Sequence, residues 1–152
     1  MITYLHMSNI RKATGLDTDD IKKIYECAFY GIEGIVESYF KFDEYVEFCL
    51  KHRFSYVAIE DDIVCGVLLA YEVPDLMFGK ILYVELLAVL PEYQKRKIGI
   101  NLLNKLRIDA ENAGYKEITL RTGCYMNAYE IYKKYGFKDT KTDRRYMSLM
   151  LK

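Results

Sequence analysis

The feature that most constrains this chain is residues 80–89, KILYVELLAV, where Glu85 is the only charge after Lys80. A run of ten mostly aliphatic residues is too short to cross a bilayer and has the length of a strand. Its near-continuous apolarity predicts a central strand covered on both faces. Pro91 ends it. Residues 98–113 then carry Leu102, Leu103, Leu106 and Ala110 at helical spacing, with Gly114 as a C-terminal cap. Together they predict a strand, a short loop and a long helix.

The flanking segments extend the pattern. Residues 9–13 read as a first strand, and Asp17 is placed to cap a helix whose stripe is Ile21, Ile24, Tyr25 and Ala28. Glycines 31 and 34 loosen the chain before a second helix with Phe42, Tyr45, Val46 and Cys49 on one face. Residues 55–59 and 63–71 are β-rich and meet at Asp61-Asp62, a hairpin signal. Glu117–Leu120 reads as a strand, Asn127-Ala128-Tyr129-Glu130 as the capped start of a short helix ending at Gly136, and residues 146–151 as a closing strand. The predicted order is one strand, two helices, three strands, helix, strand, helix, strand: a mixed α/β layer in a single domain spanning 1–152.

Composition narrows the function. The chain has 22 basic and 22 acidic residues, so no basic field exists and nucleic-acid binding is not expected. The N-terminus lacks a charged start followed by an apolar block, and no run spans a membrane, so a cytoplasmic protein is expected. Cys27, Cys49, Cys65 and Cys124 form no CxxC pair, and His6 and His52 fit no ligand spacing. Reduced, mostly buried thiols and no metal follow as expectations.

Chemistry concentrates between the apolar strand and the long helix. A loop that opens a helix after a strand presents unpaired N–H groups and the positive end of the helix dipole, a ready phosphate site. Lys95, Arg96 and Lys97 add charge there, and Gly99 permits close approach of a ligand to the backbone. A solvated basic turn would show the same residues, so the loop alone does not decide.

The run Leu87-Ala88-Val89-Leu90-Pro91-Glu92-Tyr93-Gln94…Gly99…Leu102-Leu103 resembles the acetyl-CoA motif of the GNAT superfamily of N-acetyltransferases, Gln/Arg-x-x-Gly-x-Gly/Ala after a strand. Downstream, Ala128-Tyr129-Glu130-Ile131-Tyr132-Lys133-Lys134-Tyr135-Gly136-Phe137 is similar to the family's Ala-x-x-x-Tyr-x-Lys-x-Gly-Phe. The resemblance covers residues 83–137 and, loosely, residues 10–17. It implies a GNAT fold: a central mixed, mostly antiparallel sheet of about six to seven strands flanked by about four helices. It also implies acetyl-CoA as cosubstrate, an amine acceptor as partner and, by analogy, a homodimer.

Residue by residue, the resemblance implies that Leu87, Ala88 and Val89 meet the pantetheine through their backbone. Gln94, Lys95, Arg96, Lys97, Ile98, Gly99 and Ile100 would hold the pyrophosphate, with Asn127 and Lys134 as further cofactor contacts. Tyr132 would lie near the thioester sulfur. Two positions depart from the pattern. Lys97 replaces the motif's first glycine, and its N–H can serve a pyrophosphate if its dihedrals are helical. Tyr125 replaces a frequent asparagine, leaving Asn127 as N-cap or pantetheine contact.

Acetyl transfer to an alkyl amine needs a lone pair freed from an ammonium of pKa about 10.4, which costs about 4–5 kcal/mol at pH 7. Glu85, isolated in an apolar strand, is the candidate base, with its pKa expected to rise by desolvation. A solvent-edge or ion-paired glutamate is the alternative. Tyr132 is the candidate proton donor to the leaving thiolate, unless Tyr125, Tyr129 and Tyr132 simply form core. Glu26, Glu33, Glu37, Asp43, Glu44 and Glu47 could form an acidic lip for a cationic acceptor or be solvated helix faces. A non-catalytic acyl-CoA-binding module, a longer acyl group or a protein acceptor are the rival readings.

Overall fold

A computed structural model describes residues 9–29, 41–76, 79–123, 126–140 and 148–151. The chain falls into two compact units, residues 1–121 and 122–152. In the first, β1 (Asn9–Lys12) leads through a 3-10 turn to α1 (Thr18–Phe29), and α2 (Phe42–Lys51) precedes β2 (Tyr56–Glu60), β3 (Ile63–Asp75) and β4 (Gly79–Val89). α3 (Ile98–Asn112) and β5 (Glu117–Leu120) complete it. The strands lie in sequence order; the first four pair antiparallel, and β4 pairs parallel with β5. The mixed, mostly antiparallel sheet is thus as expected, but it has five strands among the described residues rather than six or seven. Of the expected closing strand, positions 146 and 147 lie outside the described residues and 148–151 form none.

Local chemistry explains the elements. Asp61 and Asp62 turn the β2–β3 hairpin at φ 50° and 63°, left-handed values that aspartate tolerates better than most residues. Ile21 and Ile24 of α1 and Val46 and Cys49 of α2 are fully or almost fully buried, as their spacing predicts. The Tyr25 ring packs on Phe29 at 5.2 Å and on Phe42 at 5.3 Å, tying the two helices together. Leu102, Leu103, Leu106 and Ala110 bury the core face of α3. Tyr56, wholly buried, anchors α3 by donating to Asp109 at 2.7 Å.

Asp17 caps the helical start not as its N-cap but as the inner acid of a capping box with Thr14, in the 3-10 turn that runs into α1. It sits in the preceding turn, nearly buried, where its carboxylate accepts from both Arg11 guanidinium nitrogens and the Thr14 N–H at 2.8 Å each. That pairing ties β1 to the start of α1. No helix among the described residues is long and apolar enough to cross a membrane. Glycines 31 and 34 fall outside the described residues.

Candidate active site

β4 is buried on both faces, but each face is covered over only part of the strand's length. Leu82, Val84, Leu86 and Ala88 are buried, while Ile81, Tyr83, Leu87 and Val89 are half-buried and Glu85 is exposed. The register explains why a strand with alternating burial has so apolar a sequence. Ala70 pairs with Val84 and Leu69 with Leu86, so Glu85 has no partner on β3. Glu85 is a β-bulge, the extra residue that breaks the ladder and re-aims its side chain.

The two ends of β4 confirm the switch of face. Tyr83 packs on Tyr71 at 5.3 Å, and Tyr71 packs on Phe48 of α2 at 5.2 Å. Val89 pairs with Gly66, whose α-carbon faces Ile98 and Leu102 of α3, and its Cγ2 lies 3.9 Å from a Cβ built on Gly99. Positions 83 and 89 have the same parity, so an unbroken strand would send both to one face. The bulge sends them to opposite ones.

β5 pairs with β4 only from Ile81 to Val84. Residues 85–89 therefore run past it, leaving that edge of β4 without a β5 partner. The loop beyond carries the predicted phosphate site. Gln94 folds back so that its Nε2 donates to the Val89 carbonyl at 3.1 Å. Lys95 and Lys97 both sit at φ 63°, and Lys97 is the N-cap of α3 with ψ 15°. The condition of right-handed helical dihedrals at Lys97 is therefore not met: the conformation is left-handed, the one in which glycine carries no Cβ penalty. That is the physical reason the motif has glycine there.

The first helical bond of α3 runs from the Asn101 N–H to the Lys97 carbonyl at 2.9 Å. The amides of Ile98, Gly99 and Ile100 precede it and have no earlier turn to donate to. Ile98 is buried, Ile100 is exposed, and Gly99 has only Val89 within 4 Å of its missing side chain. Arg96 is engaged elsewhere: its guanidinium pairs with Glu60 at 2.8 Å and lies 5.1 Å from the Tyr93 ring centroid. It ties the loop to the end of β2, and Lys95 and Lys97 are left as exposed cations beside the amides.

Around Glu85, desolvation raises the carboxyl above its ordinary range, as anticipated; a hydrogen bond from Tyr45 and the charge of Arg121 partly oppose this. Burial, a hydrogen bond with Tyr71 and the charge of Glu85 push the Tyr45 phenol well above its usual range. Burial and Glu85 push the Cys49 thiol up to about 12, so it stays protonated and is no nucleophile at neutral pH.

The second unit contains α4 (Asn127–Tyr135). Its N-cap is Met126, without a side-chain hydrogen bond, so Asn127 is the first helical residue and the expected capping box does not form. Asn127 and Lys134 are exposed, and Tyr125 and Cys124 lie outside the described residues. The Tyr129 hydroxyl donates to Asp139 at 2.7 Å. Tyr132 is half-buried, its ring edge-on to Phe137 at 5.6 Å, and burial raises its phenol. Gly136, at φ 123°, ends the helix and lets its own N–H and that of Phe137 return to the Tyr132 carbonyl.

Three residues shape this region without a motif to announce them: Tyr45 on Glu85, Glu60 on Arg96, and Gly66 under α3. A Cβ on Gly66 would lie 2.9 Å from Ile98 Cγ2, so this glycine sets how closely the start of α3 approaches the sheet. A glycine inside a strand pattern was the available signal.

The Acetyltransferase (GNAT) family model matches residues 18–137. Among curated proteins there is no match. A possible acetyltransferase from Clostridium difficile 630 superposes with a TM-score of 0.78 at 17% identity, covering 95% of this chain and 99% of that one. A predicted acetyltransferase from Clostridium acetobutylicum, solved with acetyl-CoA, gives 0.71 at 22% identity, with 95% and 96% covered. The aminoglycoside N-acetyltransferase AAC(6')-Iy, solved with a CoA bisubstrate analogue, gives 0.71 at 17% identity over 93% and 98%. At these identities the superpositions establish the fold.

Proposed function

Because the chain belongs to the GNAT acetyltransferase family, we propose that this acetyl-CoA-dependent N-acetyltransferase acts on a primary amine of a small molecule or peptide, by direct attack in a ternary complex. The observation that carries the reading is the bulge at Glu85. It breaks the ladder at the one acid of β4, next to the strand edge that β5 leaves uncovered.

In this scheme the acceptor's ammonium gives a proton to Glu85, directly or through a water. The freed nitrogen attacks the thioester carbonyl, a carbon–nitrogen bond forms and the carbon–sulfur bond breaks. The leaving thiolate takes a proton from Tyr132, whose raised phenol is protonated at neutral pH. The proton shed by the new amide nitrogen restores that phenol, leaving the proton on Glu85 as the one released. The sum is ammonium plus acetyl-CoA giving amide, CoA and one proton. Leu87, Ala88 and Val89 are assigned to the pantetheine through backbone groups, Ala88's side chain being buried. The amides of Ile98, Gly99 and Ile100, with Lys95 and Lys97, are assigned to the pyrophosphate. Gln94 and Arg96 support that loop rather than touching the ligand.

Glu85→Gln tests the reading. It keeps the shape but cannot take a proton, so kcat at pH 7 should fall about 10²-fold, with binding of acetyl-CoA unchanged. In the wild type, kcat/KM should rise with pH, with an acidic limb above the ordinary carboxylate range. Part of the variant's activity should return at high pH, where free amine is abundant. A wild-type rate with an unchanged pH profile would make Glu85 structural.

A further inference from the structure

The loop between β4 and α3 holds a costly backbone. Lys95 and Lys97 both lie at φ 63°, with Arg96 between them. A side chain other than glycine is disfavoured there, because its Cβ meets the following carbonyl. Two such residues within three positions persist only where the surroundings fix them. The start of the loop is fixed by the 3-10 turn Pro91–Tyr93, whose Tyr93 N–H donates to the Leu90 carbonyl at 2.9 Å, and by Gln94 reaching back to Val89. Its end is α3. Between Gln94 and Ile98, the side chain that anchors it is Arg96.

Arg96 is gripped from two sides. Its guanidinium donates to Glu60 at 2.8 Å and lies 5.1 Å from the Tyr93 ring centroid. Glu60 is the fixed member of the pair: its side chain is 10% exposed, against 52% for Arg96. It closes the β2–β3 ladder, where it pairs with Ile63. The same hairpin is stitched to the exit of β4, since the Leu90 N–H donates to the Cys65 carbonyl at 2.8 Å. The carboxylate is thus held against the strand that the loop leaves, and a charge-assisted bond to it is stronger than a neutral one.

From this arrangement we infer that Glu60 is the positioning residue of the phosphate loop. Through Arg96 it holds Lys95 and Lys97 in their left-handed backbone, and so keeps the amides of Ile98, Gly99 and Ile100 aimed at the pyrophosphate. Glu60 stands thirty-six residues before Arg96, outside both motifs of the family. The pair also decides what Arg96 does: engaged by Glu60, it braces the loop instead of adding a third cation to the ligand. A loop with glycine at both left-handed positions would need no brace. With lysine at both, the brace and the lysines form one device. The inference rests on the cofactor assignment above, because it takes those three amides as the pyrophosphate site.

The test combines Glu60→Gln with glycine at both left-handed lysines. Glutamine keeps the size of the side chain and an acceptor oxygen but loses the charge. CoA affinity is measured by titration calorimetry, acetyl-CoA kinetics by CoA release, and the amide resonances of Ile98, Gly99 and Ile100 by NMR of the free protein. Glu60→Gln should shift those three resonances. It should weaken CoA and raise the KM for acetyl-CoA about fivefold, the upper reach of an exposed ion pair, with kcat within about twofold of wild type. In a background carrying Lys95→Gly and Lys97→Gly, which removes the strain, the same substitution should change CoA affinity by less than about twofold. Unchanged or tighter CoA binding in Glu60→Gln overturns the inference, the tighter case meaning that a released Arg96 holds phosphate itself. So does a loss that persists in full beside the two glycines, because Glu60 would then act independently of the left-handed backbone. If Glu60→Gln moves the three amides but CoA moves none of them in the wild type, the brace stands and the cofactor assignment fails.

Discussion

Replacing Lys97 by glycine should stabilise the protein without its cofactor and leave acetyl-CoA binding intact or improved. Lys97 is the N-cap of α3 at φ 63° and ψ 15°. A left-handed backbone brings the Cβ against the following carbonyl and costs about 1–2 kcal/mol for a residue other than glycine. Glycine removes that cost but gives the unfolded chain more freedom, which takes back about 0.5–1 kcal/mol. The net gain is about 0.5–1 kcal/mol, and at about 2–4 °C per kcal/mol for a domain of this size the midpoint should rise by about 1–4 °C. Lys97→Ala is the control, since it removes the charge but keeps the Cβ, and its midpoint should stay within about 1 °C of wild type. Thermal denaturation followed by circular dichroism, with and without acetyl-CoA, reads both quantities. If the glycine variant melts no higher than the alanine variant, backbone strain at this cap is refuted. If glycine and alanine both weaken acetyl-CoA more than tenfold, the lysine ammonium itself holds phosphate.

Gly66→Ala drives a Cβ to 2.9 Å from a stiff β-branched methyl of Ile98; it should cost about 1–3 kcal/mol by urea denaturation and raise the KM for acetyl-CoA more than it lowers kcat, whereas an unchanged KM would separate this packing from the cofactor loop. Tyr132→Phe should lower kcat about 10²-fold with little change in the KM for acetyl-CoA, because the ring still packs on Phe137; an unaltered kcat would assign the thiolate's proton to water. Asp17→Asn should cost about 2–3 kcal/mol at neutral pH by losing charge-assisted bonds to Arg11 and Thr14. Hydrogen bonding from Arg11 holds this carboxyl below its ordinary range, so its contribution is present above an unfolded value of about 3.9 and lost as pH falls through the folded one; a variant deficit that does not shrink below about pH 4 would contradict that origin.

Periodicity located the elements well because burial follows spacing directly: Ile21 and Ile24, Val46 and Cys49, and the leucines of α3 face the core where a 3.6-residue repeat puts them. The family was legible for a related reason. A glycine that must meet a ligand, and a tyrosine, lysine and glycine ending a short helix, are local demands, and local demands leave fixed spacings. Caps were less legible. Asp17 and Asn127 both suit an N-cap, but the first is the inner acid of a capping box with Thr14 while pairing with Arg11, and the second begins the helix one position too late to cap it.

What alternation could not reveal is the bulge. The apolar run of β4 reads as a strand buried on both faces, and the same residues also fit a strand that switches faces at Glu85. Only pairing with β3 distinguishes the two, and pairing is a long-range property that no local pattern encodes. The same holds for the left-handed backbone of Lys97, dictated by how the loop must turn into α3, and for the rings of Tyr45, Phe48, Tyr71 and Tyr83, which come from three elements far apart in the chain. Local pattern was enough for most of the elements, for the family and for the isolated acid, though the expected closing strand does not form over residues 148–151. The tertiary structure alone decided which way that acid points and what surrounds it, because both depend on strand register and helix docking.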